Sequence, residues 1–395
     1  MQFTPPVALA RSGRVWRSVL CVLVLLGGLF PPIADYHVGL IAVVIAVPVI
    51  LYEILRFVPH AHMVIWFVVP VFLILWIPTL IVGPIDLYGQ EKYVSLFTIV
   101  IATCLAAILL RDYTSIVTFA KIWLVATVPL AALALLDYQG SGRADGFGES
   151  PIWLARSFAT GLVIIAWLVW ERRGPWLVLL GSALLLFAGI IATGSRGPLL
   201  SAALGIIVLA LFAPGQRIKR TALVAAGAVA ILIAVNTLPF LQNSRAVSGA
   251  DLAQSNEMRV LFWDVTIPLI AAHPSGVGLG NWAIATGLEQ IRIYWPHNFF
   301  LEMFAEYGWV IGVATVIGVA VLLIALMRKA TNPVVLLVLA MLIAEVASVS
   351  VSGNIIARTF WFLLTLGYLI VVGQIRAYPP RAAIEANVRN RVHAY

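Results

Sequence analysis

Residues 152–193 read IWLARSFATGLVIIAWLVWERRGPWLVLLGSALLLFAGIIAT, and this stretch decides the fold class. It holds two apolar runs, 152–170 and 176–193, each close to the roughly 20 residues that an α-helix needs to cross a bilayer. Arg172 and Arg173 lie in the short polar linker between them. Because basic residues in short loops mark the cytoplasmic side of a membrane, the stretch predicts two membrane helices joined on that side.

The composition of the whole chain also indicates a membrane protein. Of the 395 residues, 62% are hydrophobic and 11% are charged, less than half of the roughly one quarter that is typical of soluble domains. The net charge of +8 is spread over short runs between apolar stretches, so it indicates membrane topology and not a nucleic-acid partner. Cys21 and Cys104 lie in apolar stretches and support neither a disulfide framework nor a zinc site.

The chain is predicted to be an all-α polytopic membrane protein with about twelve transmembrane helices and one long outward loop that contains short helices. The candidate spans are 18–34, 38–58, 63–83, 93–110, 114–136, 152–170, 176–193, 197–213, 221–240, 299–327, 333–351 and 356–373. They divide the chain into helices 1–9 (1–240), the long loop (241–297), helices 10–12 (298–373) and a cytoplasmic tail (374–395). The first apolar run resembles a signal peptide, but no convincing cleavage site follows, so we interpret it as a retained helix.

Lysine and arginine placement predicts that both termini lie in the cytoplasm. Eight cations then face outward against the bias: Lys92, Arg143, Arg156, Arg196, Arg245, Arg259, Arg292 and Arg358. Seven of them are arginine, whose planar fork matches two phosphate oxygens at once. Snorkelling or pairing with an acid explains any one of them. As a set they favour an anionic ligand such as a phosphate or diphosphate.

The first candidate site is the segment 294–298, Tyr-Trp-Pro-His-Asn, which precedes a long apolar helix. Either His297 or Asn298 can cap that helix. The positive end of a helix dipole disfavours imidazolium, and a neutral imidazole is what a general base needs. The alternative is a plain capping histidine. Glu302 and Glu306, in the first turns of the helix, either complement the dipole or orient His297.

The second candidate site is the turn 193–198, Thr-Gly-Ser-Arg-Gly-Pro, between two apolar helices. Gly197 and Pro198 favour a helix start, and free N–H groups there beside Arg196 form an anion site. The alternative is an ordinary tight turn with a snorkelling arginine.

The long loop carries the third candidate site. Residues 256–272 are predicted to be helical, and Gly276, Gly278 and Gly280 then break the pattern. Arg259, Phe262 and Trp263 form a groove for a lipid-linked headgroup in one interpretation; in the other, Trp263 is only an interface anchor. His273 precedes a proline in a glycine-rich turn, so a structural role is favoured.

Two further features remain open. The outward loop 142–151, which contains Arg143 and ends in Ser150-Pro151, either touches a substrate or is passive. Glu345 lies within a predicted membrane helix, where an ionisable group is a functional hypothesis by default. Pairing with Arg358 would explain it structurally.

Gly-Ser-Arg-Gly at 194–197 is the first of two marks of a family. The second is the block 259–312, which contains Arg, Trp, His-Pro, Gly-x-Gly, His-Asn-x-x-Leu-Glu and Glu-x-Gly in that order. Together they resemble the bacterial O-antigen ligase and O-antigen polymerase superfamily. Ser150-Pro151 stands where relatives often show Asn-Pro, so the role of that loop stays open.

The resemblance implies a glycan transferred from undecaprenyl diphosphate to a hydroxyl, at the periplasmic face of the inner membrane. For the ligases the acceptor is lipid A–core oligosaccharide, and no cofactor or metal is expected. Membrane lipids are the other expected partners. It further implies a catalytic His297 and diphosphate-binding Arg196 and Arg259, with Arg143 and Arg292 as further candidates. The motifs themselves add Ser195 and Trp263 as candidate substrate-binding residues and Glu302 and Asn298 as supporting ones.

Several alternatives accompany the ligase interpretation. Polymerases of the superfamily tend to have two substantial outward loops, whereas this chain has one long loop and a short one at 137–151, which favours a ligase. Protein-modifying O-oligosaccharyltransferases usually carry extra C-terminal sequence. A lipid-linked-glycan transporter would bind the same carrier, but transporters place ionisable groups near the midplane in two repeated halves.

Overall fold

The computed structural model describes residues 7–30, 38–56, 69–71, 73, 75–76, 79, 81–138, 143–144, 150–212, 218–222, 224–227, 237, 249–291 and 293–375. These residues form helices joined by turns, with no β-strand among them. The predicted all-α class is therefore confirmed. The predicted spans 63–83 and 221–240 lie largely outside the described residues, as do the start of the long loop and nearly all of the tail.

The longer helices follow the apolar runs closely. They are Val7–Leu26, Val38–Arg56, Leu87–Leu109, Tyr113–Asp137, Pro151–Trp170, Trp176–Ala192, Arg196–Phe212, Gly249–Ala272, Phe299–Lys329, Pro333–Ser352 and Arg358–Val371. The first helix, Val7–Leu26, starts before the predicted first span, 18–34, and residues 31–34 of that span lie outside the described residues. Gly27 and Gly28 are poor helix formers, and a 3-10 turn, Gly27–Leu29, follows the helix there.

Five described helices are long and apolar enough to cross a membrane. They are Leu87–Leu109, Tyr113–Asp137, Pro151–Trp170, Phe299–Lys329 and Pro333–Ser352. Four shorter apolar helical stretches accompany them: Ile41–Tyr52, Trp176–Ala192, Arg196–Phe212 and Arg358–Val371. This set supports a polytopic membrane protein, and the count of twelve spans stays a prediction.

Pro333–Ser352, which we call the central helix, is mostly buried and packs against the helices that begin at Pro151, Arg196, Phe299 and Arg358. Small residues allow the close approach, as is usual between membrane helices. A Cβ atom on Gly205 would lie 2.7 Å from Val163 Cγ2 and 3.0 Å from the Ala340 carbonyl oxygen. A Cβ atom on Gly197 would lie 3.6 Å from Val351 Cγ1, so the C-terminal end of the central helix lies close to the start of Arg196–Phe212.

The predicted helix in the long loop is present as Gly249–Ala272, which we call the loop helix. It starts earlier than the predicted residue 256 and ends as predicted. The three glycines that follow it, Gly276, Gly278 and Gly280, all have positive φ angles, from 79° to 90°. These backbone conformations are open mainly to glycine, so the predicted break is confirmed.

Phe299–Lys329, the kinked helix, is interrupted at Gly308, where φ is 80° and ψ is −178°. We expected its first turns only to protrude beyond the span; instead the break separates them from the rest. The Ala305 and Glu306 carbonyls accept hydrogen bonds from the N–H groups of Val277 (2.8 Å) and Gly278 (3.0 Å). The Trp309 N–H donates to the Pro274 carbonyl at 2.9 Å. The break thus fastens the long loop to the kinked helix.

The Gly308→Ala substitution tests this attachment. A Cβ atom there would overlap the Pro274 carbonyl oxygen, and the positive φ would strain an alanine, so we expect a loss of about 1–3 kcal/mol. The measurement is the thermal unfolding midpoint of the detergent-solubilised protein. Gly318→Ala is the matched control, because Gly318 lies in the same helix with open space around its Cβ position. Equal midpoints for the two variants would contradict the attachment.

Candidate active site

A cavity of about 380 Å³ lies where the turn 194–198, the loop helix, the segment 293–297 and the end of the central helix meet. Arg143, Arg196, Arg259 and His297 all line it. The described residues of its wall include no aspartate or glutamate. Three arginines and one histidine that are far apart in sequence therefore share one concave, cationic space.

The turn before Arg196–Phe212 is built by local hydrogen bonds. Gly194 adopts a positive φ of 64°, and its N–H donates to the Ile191 carbonyl at 3.0 Å. The Thr193 hydroxyl donates to the Ile190 carbonyl at 2.7 Å. The first residues of this helix, Arg196, Gly197 and Pro198, line the cavity. Pro198 has no backbone N–H, but the N–H groups of Arg196 and Gly197 lack intrahelical partners, and a helix start of this kind attracts anions. Ser195 is buried in this turn and also lines the cavity.

Arg143 lines the cavity, and a backbone hydrogen bond of the next residue, Ala144, fixes its position. The Ala144 N–H donates to the Ala192 carbonyl at 3.1 Å, and Ala144 is fully buried. This bond attaches the described part of the outward loop to the end of Trp176–Ala192. The exposed Arg143 side chain is thereby held beside the turn that carries Arg196.

The loop helix supplies Arg259 and Phe262 from one face. A small core of Phe262, Ile270, Trp282, Ala283 and Ala305 anchors this helix. The indole N–H of Trp282 donates to the Thr266 hydroxyl at 2.9 Å, and that of Trp309 donates to the Ile270 carbonyl at 3.1 Å. Burial lowers the pKa of Arg259, and the nearby charge of Arg196 lowers it further.

His297 is held in the left-handed region with φ of 54°, unusual for a residue other than glycine. Its ring stacks on Phe262, with centroids 5.4 Å apart and planes at 25°, and lies 5.1 Å from the Trp295 ring. Burial, then the charges of Arg259 and Arg156, lower the pKa of His297 to about 4. The imidazole is therefore uncharged near pH 7.

Asn298, not His297, caps the kinked helix. Its side-chain oxygen accepts hydrogen bonds from the N–H groups of Phe300 (3.0 Å) and Leu301 (3.1 Å). Because the cap is made by the next residue, the His297 ring is left to face the cavity.

Glu302 and Glu306 contact Lys92 rather than His297. The Lys92 Nζ atom lies 2.5 Å from Glu302 Oε1 and 2.6 Å from Glu306 Oε1, and all three side chains are buried. The other Glu302 oxygen accepts a hydrogen bond from the Ile355 N–H at 2.9 Å. For Lys92 the alternative of pairing with acids is therefore confirmed, because two carboxylates already engage it.

Of the other predicted residues, those that the structure describes are not part of the cavity wall. Trp263 is 43% exposed, and Arg292 lies outside the described residues. His273 is exposed in the turn after the loop helix. Glu345 lines a second, smaller cavity together with Arg156 and Arg358, and it interacts electrostatically with Arg156.

Sequence reasoning did not identify Ile152, Val351 and Ser352 of the wall, which are ordinary residues of apolar helices. Sequence reasoning also missed that Lys92 is the partner of Glu302 and Glu306. The position of Lys92, on the side of the membrane where basic residues are rare, could have indicated that it has an acidic partner. No group of three His, Cys, Asp or Glu side chains suited to a metal ion occurs in the part of the chain that the structure describes.

Residues 181–316 match a family model described as O-antigen ligase. The matched segment contains Arg196, Arg259 and His297. A search of curated proteins finds no match. The family match confirms the resemblance to the O-antigen ligase superfamily and implies a glycosyltransferase-like enzyme of O-antigen assembly. Together with the apolar helices it indicates a membrane protein.

The Lys92→Met variant tests the buried ion cluster. Removing the cation leaves two buried carboxylates uncompensated, so we expect a loss of about 3–5 kcal/mol in the free energy of unfolding, measured in detergent. A triple variant that adds Glu302→Gln and Glu306→Gln removes the two uncompensated carboxylates and should recover part of that stability. Wild-type stability of Lys92→Met would contradict the role of the cluster.

The Arg259→Gln variant tests the charge that acts on His297. With one positive neighbour removed, protonation of the ring costs less, so the pKa of His297 should rise above about 4. The pH midpoint of diethylpyrocarbonate labelling at His297, followed by peptide mass spectrometry, measures the shift. Arg143→Gln is the control, because Arg143 lines the same cavity but is exposed. An unchanged midpoint in Arg259→Gln would show that the charge of Arg259 does not lower the pKa of His297.

Proposed function

We propose that this protein uses its O-antigen ligase region to move a glycan from undecaprenyl diphosphate to a hydroxyl of lipid A–core oligosaccharide. In this proposal His297 is the general base, and Arg196, Arg259 and Arg143 bind the diphosphate. The observation that carries it is the shared cavity, where these arginines meet an uncharged imidazole without any acidic side chain among the described wall residues.

The cationic wall favours a ligand with several negative charges. Cations that share a cavity repel one another, and a diphosphate relieves that repulsion through bidentate hydrogen bonds to the guanidinium groups. The N–H groups at the start of Arg196–Phe212 add a further anion-binding element. The volume of about 380 Å³ is within the range of small-molecule sites, enough for a diphosphate and part of a sugar.

Donor binding would also improve His297 as a base. In the free protein the ring has a pKa of about 4, because it is buried near Arg259 and Arg156. The negative charge of a bound diphosphate offsets the charges of these two cations, so the pKa of His297 rises toward neutrality. A base with a pKa near the working pH transfers protons most efficiently.

The chemical step is a single displacement. The acceptor oxygen attacks the anomeric carbon of the donor, and the bond from that carbon to the diphosphate oxygen breaks. His297 takes the proton of the hydroxyl, while the arginines stabilise the negative charge that builds on undecaprenyl diphosphate. Direct attack inverts the anomeric configuration. The proton then passes from His297 to solvent.

We place this reaction at the periplasmic face of the inner membrane, with both termini in the cytoplasm. The support is the charge pattern along Trp176–Ala192. Arg172 and Arg173 precede its start, whereas the turn with Arg196 follows its end, so the cavity lies at the opposite end from these basic residues.

The test is an assay of the purified protein with undecaprenyl-diphosphate-linked glycan and lipid A–core, in detergent and without a gradient. Joined product is expected from the wild type. His297→Gln should reduce the rate by roughly 10²- to 10⁴-fold, as loss of a general base does. His273→Ala is the matched control, since His273 is exposed outside the cavity wall, and it should keep full activity.

The outcomes separate the alternatives. Elongated lipid-linked glycan in place of a core-linked product indicates a polymerase. Movement of the carrier across proteoliposome membranes without new glycosidic bonds indicates a transporter. Full turnover of His297→Gln would refute the general-base assignment.

A further inference from the structure

The hydroxyl of Ser352, the last residue of the central helix, has no role in the mechanism above. Ser352 lines the cavity next to the turn that carries Arg196. A Cβ atom on Gly197 would lie 3.6 Å from Ser352 Oγ, so this hydroxyl faces that turn. The described residues therefore place a neutral hydroxyl beside the first turn of Arg196–Phe212.

A buried arginine lies behind this hydroxyl. Arg156 is only 6% exposed, and its Nη2 atom donates to the Ser348 carbonyl at 3.2 Å and to Ser352 Oγ at 3.4 Å. Its Nε atom has no hydrogen-bond partner among the described residues. Arg156 is not part of the main cavity wall and lines the second, smaller cavity. It therefore reaches the main cavity through Ser352.

We propose that Ser352 is a further diphosphate-binding residue, which donates its hydroxyl hydrogen to a phosphate oxygen, and that Arg156 is the positioning residue that holds it. The inference rests on the proposed function and extends it to the end of the central helix. It adds a neutral donor to the arginines of the cavity.

The chemistry of the pair gives the direction of the hydrogen bonds. A guanidinium group can only donate, so Ser352 Oγ is the acceptor from Arg156, and its own hydrogen remains for another acceptor. Its acceptor in the structure is the Ser348 carbonyl at 3.4 Å, as long as the contact from Arg156 and longer than an ordinary hydroxyl hydrogen bond. A phosphate oxygen is a stronger acceptor, because hydrogen bonds to charged groups are shorter and about twice as strong. The charge of Arg156 further polarises the hydroxyl.

The experiment measures binding of undecaprenyl diphosphate to the full chain in nanodiscs. Ser352→Ala should weaken binding by roughly ten-fold, the loss expected for a hydrogen bond to a charged group. Ser352→Thr keeps the hydroxyl and should retain most of the affinity. Arg156→Gln should weaken binding less than Ser352→Ala does. In the glycan-transfer assay, Ser352→Ala should raise the KM for the donor and leave the KM for lipid A–core unchanged.

Ser350→Ala is the matched control. Ser350 lies on the same helix, is half-buried and donates to the Val346 carbonyl at 2.7 Å, but it does not line the cavity. Its variant should bind like the wild type. Equal losses in Ser350→Ala and Ser352→Ala would show a packing role and overturn the inference.

Arg196→Ala separates this inference from the proposed function. If Arg196→Ala loses binding and Ser352→Ala binds like the wild type, only the role of Ser352 is refuted. If both variants bind like the wild type, the diphosphate site itself is refuted, and the role of Ser352 with it.

Discussion

The structure around the site depends on one buried ammonium group. Lys92 Nζ contacts both Glu302 and Glu306 in a place where an unpaired charge would cost several kcal/mol. Each carboxylate has additional donors: Glu302 accepts from the Ile355 N–H, and Glu306 accepts from the backbone of Gly280 and Trp282. The cluster therefore joins Leu87–Leu109, the kinked helix, the glycine-rich loop and the turn before Arg358–Val371.

The position of His297 follows from this arrangement. His297 lies just before the kinked helix, whose first turns carry both glutamates, so the cluster fixes the helix start that presents the ring. Gly308 frees the carbonyls that bind the loop at Val277 and Gly278. The same loop carries Trp282, which supports the loop helix through Thr266. One connected framework thus positions both His297 and Arg259 of the loop helix.

The cavity brings several positively charged side chains close together. Burial and the charge of Arg196 both lower the pKa of Arg259, and burial, then the charges of Arg259 and Arg156, lower the pKa of His297. Functional sites often retain such unfavourable charge because the ligand compensates it.

The sequence by itself determined the helical class, most helix positions and the break after the loop helix, and it singled out Arg196, Arg259 and His297, which line one cavity. These follow from local signals: apolar runs, glycines, and cations placed against the topological bias. Only the tertiary structure decided that Lys92 is engaged by Glu302 and Glu306, that Phe262 stacks on His297, and that Ser352 reaches the cavity. Hydropathy records how apolar a segment is but not which helices meet, and these contacts join residues far apart in the chain.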